Sequence, residues 1–122
     1  MSKTTVRPIF KPQIDFAVAP DPFMEKSVIV HCQMRIGGPA RMWPSTYLLQ
    51  EDGTRKPLLH AWNISSYPEW RYLKSGGVFT LLFEGLDDSC RMFDLLEDIP
   101  EPGGFEVFGI RRNKEDVYRL DV

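Results

Sequence analysis

The sequence predicts an all-β protein, a single antiparallel β-sandwich of about seven to eight short strands that spans residues 1–122 as one domain. Two observations predict it. Short apolar runs recur at intervals of about 8–12 residues, and turn residues separate them, since the chain contains ten prolines and nine glycines. Almost nothing between these breaks has the length and period of a long helix. The chain length agrees with one domain, because single domains usually contain about 100–150 residues.

The first elements lie near the N-terminus. Val6 to Phe10 predict an edge strand, and residues 11–26, with three prolines, predict a crossover or loop. The clearest strand lies between Ser27 and Ile36, where apolar and polar side chains alternate except at Ile29. This alternation is typical of a strand with one buried face.

The central elements are a hairpin and a buried strand. Asp52-Gly53 lies between the apolar runs 46–49 and 58–62, and Asp-Gly favours a tight hairpin turn because its turn positions need positive φ. Residues 78–83 are apolar on both faces, which predicts a central strand that is covered on both sides.

The C-terminal third predicts three further strands. Residues 105–110 and 116–122 form two of them. Residues 91–96 are ambiguous, because they fit a strand and also a helix beginning near Asp88 or Ser89. We favour the strand, since a tight turn after a strong strand usually continues the meander.

Charge and termini exclude several classes of protein. Fifteen basic and seventeen acidic residues give a net charge of −2, which provides no electrostatic basis for binding nucleic acid. No apolar run approaches the roughly 18 residues that span a bilayer, so no membrane partner is expected. The first residues lack the apolar core of a signal peptide, which predicts a cytoplasmic protein. Cys32 and Cys90 either form one disulfide or are buried free thiols, and we favour free thiols.

The sequence contains no standard catalytic, cofactor or metal motif, so no cofactor is expected. His31 and Cys32 are neighbours on a predicted strand and point to opposite faces, which disfavours a shared metal. Glu97, Asp98 and Glu101 carry oxygens of the kind that calcium binds, but we favour a solvated acidic loop.

An enzyme remains an alternative function even though no catalytic motif is present, because active sites can be assembled from residues far apart in the sequence. A small hydrolase or isomerase would use His31 or His60 together with a carboxylate such as Asp94 or Glu84. It requires a deep pocket in which one histidine lies within hydrogen-bonding reach of that carboxylate.

The segment 37–44 is the leading candidate for a binding site, and the function we favour is a non-enzymatic binding or interaction module for a protein or small ligand. A rigid Gly/Pro loop that exposes Arg41 and Trp43 is typical of a recognition loop. The alternative is that Trp43 folds back and fills the end of the sandwich.

A second candidate site uses Trp62, Trp70 and Arg71, which lie in a basic and aromatic segment. Such residues stack on sugars and hold anions, so this hypothesis is binding of a carbohydrate or other small ligand. The alternative, which we favour, is that the tryptophans belong to the core. Homodimerisation through an edge strand, residues 6–10 or 117–122, is a further expectation.

Three C-terminal segments, residues 79–86, 93–97 and 104–110, carry a resemblance. Together they resemble an uncharacterised bacterial all-β domain that occurs as an accessory domain in longer proteins. The resemblance covers about the C-terminal third of the chain. It implies a strand at 91–97 and an immunoglobulin-like sandwich, and it implies no catalytic or ligand-binding residue.

Overall fold

The computed structural model describes residues 26–122, and these residues form ten β-strands and no α-helix. The strands are β1 (Val28–Gln33), β2 (Gly38–Met42), β3 (Tyr47–Gln50), β4 (Arg55–Trp62), β5 (Ser65–Ser66), β6 (Arg71–Leu73), β7 (Val78–Phe83), β8 (Met92–Leu96), β9 (Glu106–Arg111) and β10 (Val117–Asp121). The all-β prediction is confirmed. The predicted strand at residues 6–10 and the segment 11–25 lie outside the described residues.

Seven strands form one sheet in the order β10-β1-β7-β4-β3-β8-β9. Strand β7 lies between β1 and β4, which confirms its predicted central position. The sheet is mixed rather than purely antiparallel, because β10 pairs parallel with β1. Residues 112–116 carry the chain from β9 at one edge of the sheet to β10 at the other, so the two edges approach each other at that end without pairing, and the sheet is curled into a half-barrel.

The other three strands form a small sheet in the order β5-β2-β6. Its inward side chains, among them Ala40, Met42 and Leu73, belong to the same buried cluster as Val30 and Phe79 of the large sheet. The small sheet therefore covers part of a core that both sheets share. These three short strands also explain why the structure has more strands than the sequence predicted.

Two local predictions are confirmed. The β3–β4 hairpin turns at Asp52-Gly53, where Gly53 has a φ of 89° and its N–H donates to Gln50 O, although Gly53 alone of these two residues has a positive φ. Met92–Leu96 is a strand, and Leu95 lies opposite Leu48 of β3, so the helical alternative is wrong for these residues.

The structure also defines the state of the two cysteines. Cys32 and Cys90 are both buried free thiols, as the sequence favoured. In the described part of the chain no helix has the length and apolarity needed to cross a membrane.

Candidate functional site

The segment 37–44 is not the loop that its glycines and prolines predict. Gly38–Met42 is β2, the middle strand of the small sheet, with Ala40 opposite Arg71 and Arg41 opposite Ser65. Backbone pairing on both sides compensates for the weak strand propensity of Gly38 and Pro39. The strand also imposes alternation, so Ala40 and Met42 point into the core and Arg41 points outward.

The Arg41 guanidinium is held by two hydrogen bonds. Its Nη1 donates to Pro68 O at 2.9 Å, and its Nη2 donates to Glu101 Oε1 at 2.8 Å in a charge-assisted bond. Only 12% of the Arg41 side chain is exposed, so this ion pair is shielded from water on the arginine side. A partly buried pair of this kind fixes the geometry of the arginine and of the groups around it.

Three aromatic rings surround this guanidinium. Its Cζ lies 3.9 Å from the ring centroid of Trp70, 4.7 Å from that of Tyr67 and 5.8 Å from that of Trp43. Trp43 and Tyr67 also stack, with centroids 3.8 Å apart. Such cation–π contacts contribute from about 0.5 to about 2 kcal/mol each. Tyr72 extends the surface, because it lies opposite Pro39, two residues before Arg41 on the same side of β2.

We call Arg41, Trp43, Tyr67, Trp70 and Tyr72 the aromatic face. Trp43 is partly buried, whereas Trp70 is 56% exposed and Tyr72 72% exposed. Trp43, which stacks on Tyr67, is therefore the more enclosed ring, whereas Trp70, the ring nearest the guanidinium, and Tyr72 face solvent. Sequence reasoning placed Arg41 and Trp43 in one candidate site and Trp70 in another, and the structure brings these three together.

Glu97 anchors the same region from inside. This carboxylate is buried and accepts the N–H of Trp43 at 2.9 Å and the N–H of Phe105 at 3.1 Å, and the Thr46 hydroxyl lies 3.3 Å away. The bonds from this carboxylate to the two backbone N–H groups connect the end of β2 to the segment that enters β9. A buried carboxylate with such partners is a structural anchor.

Two of the three acidic residues weighed for calcium therefore have other partners. Glu97 binds backbone N–H groups, and Glu101 pairs with Arg41. Among the residues that the structure describes, no group of three or more His, Cys, Asp or Glu side chains has an arrangement that could hold a metal ion. Sequence reasoning missed both anchoring roles, because Trp43 and Arg41 lie more than fifty residues before these carboxylates, and such distant pairs leave no local pattern.

Trp62 and Arg71 lie apart from this cluster. Trp62 lies opposite Thr80 in the large sheet, and its ring contacts His60 at 4.5 Å between centroids. Arg71 lies opposite the buried Ala40, so strand alternation directs it away from the side that carries Tyr72. Trp62 and Trp70 are both exposed, and the expectation that they are core residues is wrong.

The histidines do not form the pair that an enzyme of the predicted kind needs. His31 Nδ1 lies 2.8 Å from the Thr80 hydroxyl, and burial, followed by the nearby Arg119, lowers the pKa of His31. Asp94 accepts the N–H of Gly109, and Glu84 faces Lys56 at 3.9 Å. Within residues 26–122, neither histidine has a hydrogen bond or an ion pair to a carboxylate.

Two open grooves of about 290 and about 550 Å³ lie elsewhere on the surface. The first is lined by residues 50–52, 89 and 90, and the second by residues 26, 27, 56, 59 and 84–88. Neither groove includes a histidine or a residue of the aromatic face. The aromatic face is therefore a surface rather than the wall of either groove.

Comparison with known proteins gives no match to a family model, to a curated protein or to a solved structure.

Proposed function

We propose that this domain is a non-enzymatic binding module that recognises its partner through the aromatic face. The observation that carries the proposal is the fixed position of Arg41, which bonds to Glu101 and Pro68 and packs against the ring of Trp70. A surface whose side chains are already ordered loses less conformational entropy when a partner binds. We therefore expect a partner to bind the aromatic face without a rearrangement of its side chains.

The composition of the face supports the same proposal. Tryptophan, tyrosine and arginine are the residues most enriched among those that dominate binding energy at protein interfaces. The exposed rings of Trp70 and Tyr72 supply large apolar area. Because these rings lie on an open surface, an extended partner that covers the face fits better than a compact ligand that needs a pocket.

The test compares two exposed tryptophans on different sheets. Trp70→Ala removes a ring of the aromatic face, and Trp62→Ala, on the large sheet, is the matched control. A displayed library of extended peptides and a glycan array are screened with the wild-type domain, and the affinity of each hit is then measured for both variants. We expect Trp70→Ala to weaken the best hit by about thirtyfold, the loss typical of a dominant interface residue, and Trp62→Ala to leave it unchanged.

Melting temperatures show that both variants remain folded. The proposal fails if neither library gives a hit above background. It also fails if Trp62→Ala weakens every hit as much as Trp70→Ala does.

Carbohydrate is the second candidate partner, and one observation favours it. Arg41 covers one face of the Trp70 ring, while the ring as a whole remains 56% exposed. A single open aromatic face is suited to stacking against a flat ligand ring. Hits on the glycan array alone, lost in Trp70→Ala, would support this candidate over a protein partner.

An immunoglobulin-like sandwich remains a proposal for the fold. It is supported by the arrangement of two sheets around one core, in which Met42 and Leu73 share a cluster with Phe79. The parallel pairing of β1 with β10 and the curled large sheet depart from two stacked antiparallel layers.

A further inference from the structure

The outer edge of β9 has no strand beside it among the described residues, since β9 ends the sheet next to β8. At its two ends the chain bonds towards β8, through Phe105 O and through Arg112 N. Along an antiparallel strand, successive residues direct their backbone N–H and C=O groups alternately to one side of the strand and to the other. The backbone N–H and C=O groups of Glu106 and Arg111 therefore point away from β8 and are available to another strand.

A β-bulge lies at the centre of this edge. Val107 lies opposite Leu95 and Ile110 lies opposite Phe93, so Phe108 and Gly109 together occupy one position of the ladder. Gly109 has a φ of 68°, which glycine adopts without strain.

The bulge makes β9 symmetric about its centre. Val107 and Ile110 face the core side on either side of the bulge, and Glu106 and Arg111 lie outside them as exposed residues. Residues directly opposite each other in a sheet must share a face. An antiparallel copy of β9 satisfies this when Glu106 lies opposite Arg111, whereas a shift by one residue would place Glu106 opposite the buried Ile110.

We propose that β9 is a dimerisation edge, which pairs antiparallel with β9 of a second copy about a two-fold axis through the bulge. In this register, Glu106 of each chain lies opposite Arg111 of the other. A two-fold interface repeats each contact, so the dimer contains two such pairs of opposite charge. Neither Glu106 nor Arg111 has a salt bridge within the described part of the chain, so both charges are free to pair across the axis.

The apolar residue at the centre fits the same register. Phe108 is 65% exposed and lies opposite Gly109 of the second copy, which has no side chain. A Cβ placed on Gly109 would lie 3.9 Å from Met92 Sδ, so Met92 borders the space above the glycine. The Phe108 ring of one copy covers this space in the other, an arrangement in which an aromatic residue shields a strand glycine.

The opposite edge of the sheet disfavours self-pairing. Val122 donates its N–H to Gln33 O of β1 and accepts the N–H of Arg35 just beyond β1. The alternate residues Arg119 and Asp121 therefore direct their backbone groups outward. An antiparallel β10 pair centred on this edge would place Arg119 opposite Arg119 of the second copy. Like charges directly opposite each other destabilise a sheet, which favours β9 over the terminal strand that the sequence suggested.

Sedimentation velocity over a wide range of protein concentration tests the proposal. A single strand edge buries less surface than a standard interface, so we expect a reversible dimer with a dissociation constant in about the micromolar range. Glu106→Arg and Arg111→Glu each place like charges opposite each other twice. We expect each variant alone to weaken dimerisation by about tenfold or more.

Charge complementation provides the decisive measurement. An equimolar mixture of the two variants restores every opposite pair, so we expect a heterodimer, and the double variant Glu106→Arg/Arg111→Glu should dimerise alone. Formation of the heterodimer also shows that both variants are folded. Arg119→Glu on β10 is the control and should dimerise like the wild type. A wild-type protein that stays monomeric at the highest concentration would overturn the proposal, as would a dimer that Arg119→Glu abolishes and the β9 variants leave intact.

Discussion

Phe93 of β8 and Tyr118 of β10 meet edge to face with their ring centroids 5.0 Å apart, although four strands separate β8 from β10 in the sheet. The contact requires the sheet to curl until its two ends approach each other. The Tyr118 hydroxyl donates to Asp116 at 2.8 Å and accepts the N–H of Asn113 at 3.1 Å. The same tyrosine therefore joins the core to the link between β9 and β10.

We expect Phe93→Ala to lower the free energy of unfolding by about 3–5 kcal/mol, because it removes a fully buried ring and leaves a cavity. Chemical denaturation monitored by circular dichroism measures the change. Leu59→Ala, at a residue that is 54% exposed, is the control and should change stability by less than about 0.5 kcal/mol. Equal losses in the two variants would contradict the role given to Phe93.

Glu97→Ala is expected to be more destabilising than a substitution of its exposed neighbour, Asp98→Ala. The variant leaves the N–H groups of Trp43 and Phe105 without their acceptor, and each buried donor left unpaired costs about 1–3 kcal/mol. Denaturation again measures the loss, and near-ultraviolet circular dichroism reports the environment of Trp43. If Glu97→Ala is as stable as the wild type, the carboxylate is not an anchor.

The local pattern of apolar and polar residues was sufficient to predict most strands, but it did not predict the aromatic face. Residues 28–33 and 78–83 were predictable, because alternation and apolar runs depend only on neighbouring positions. The prediction of a loop at 37–44 was wrong, because Gly38 and Pro39 become strand residues through pairing with β6.

The contacts of Arg41 were not predictable from the sequence. Its ring partner Trp70 and its ion-pair partner Glu101 lie 29 and 60 residues further along the chain. The fold alone brings them together, as it brings β8 to β10. Sequence patterning identified Arg41 and Trp70 as residue types suited to recognition, and the sheet order determined that they form one surface.

Cys32 is expected to resist thiol reagents while the protein is folded. Burial raises the pKa of this thiol to about 12, so the reactive thiolate is scarce at neutral pH. Native protein mixed with a chromogenic disulfide reagent should leave Cys32 unlabelled, and unfolded protein should react at once. Mass spectrometry of the digested product identifies the labelled cysteine. Fast labelling of Cys32 in the native state would contradict its burial.

The same pKa predicts how stability changes at high pH. Above pH 9 the unfolded chain loses the Cys32 proton while the folded protein keeps it, so the unfolded state binds fewer protons and stability falls as pH rises towards about 12. Cys32→Val removes this contribution. Denaturation at a series of pH values should give a shallower decline for the variant, and an identical slope for both proteins would contradict the prediction.

His31 is expected to titrate below the ordinary pKa of histidine. Burial is the larger cause and the positive charge of Arg119 the smaller, and both disfavour the protonated ring. Titration of the imidazole proton resonances measures the pKa, with His60→Gln used to assign the two signals. Arg119→Gln should raise the pKa of His31 only in part, because burial remains. Since the unfolded chain binds the proton first as pH falls below about 6.5, His31 contributes stability above that pH and the contribution is lost on acidification. A His31 pKa at or above the ordinary value, or one that Arg119→Gln lowers, would contradict this assignment.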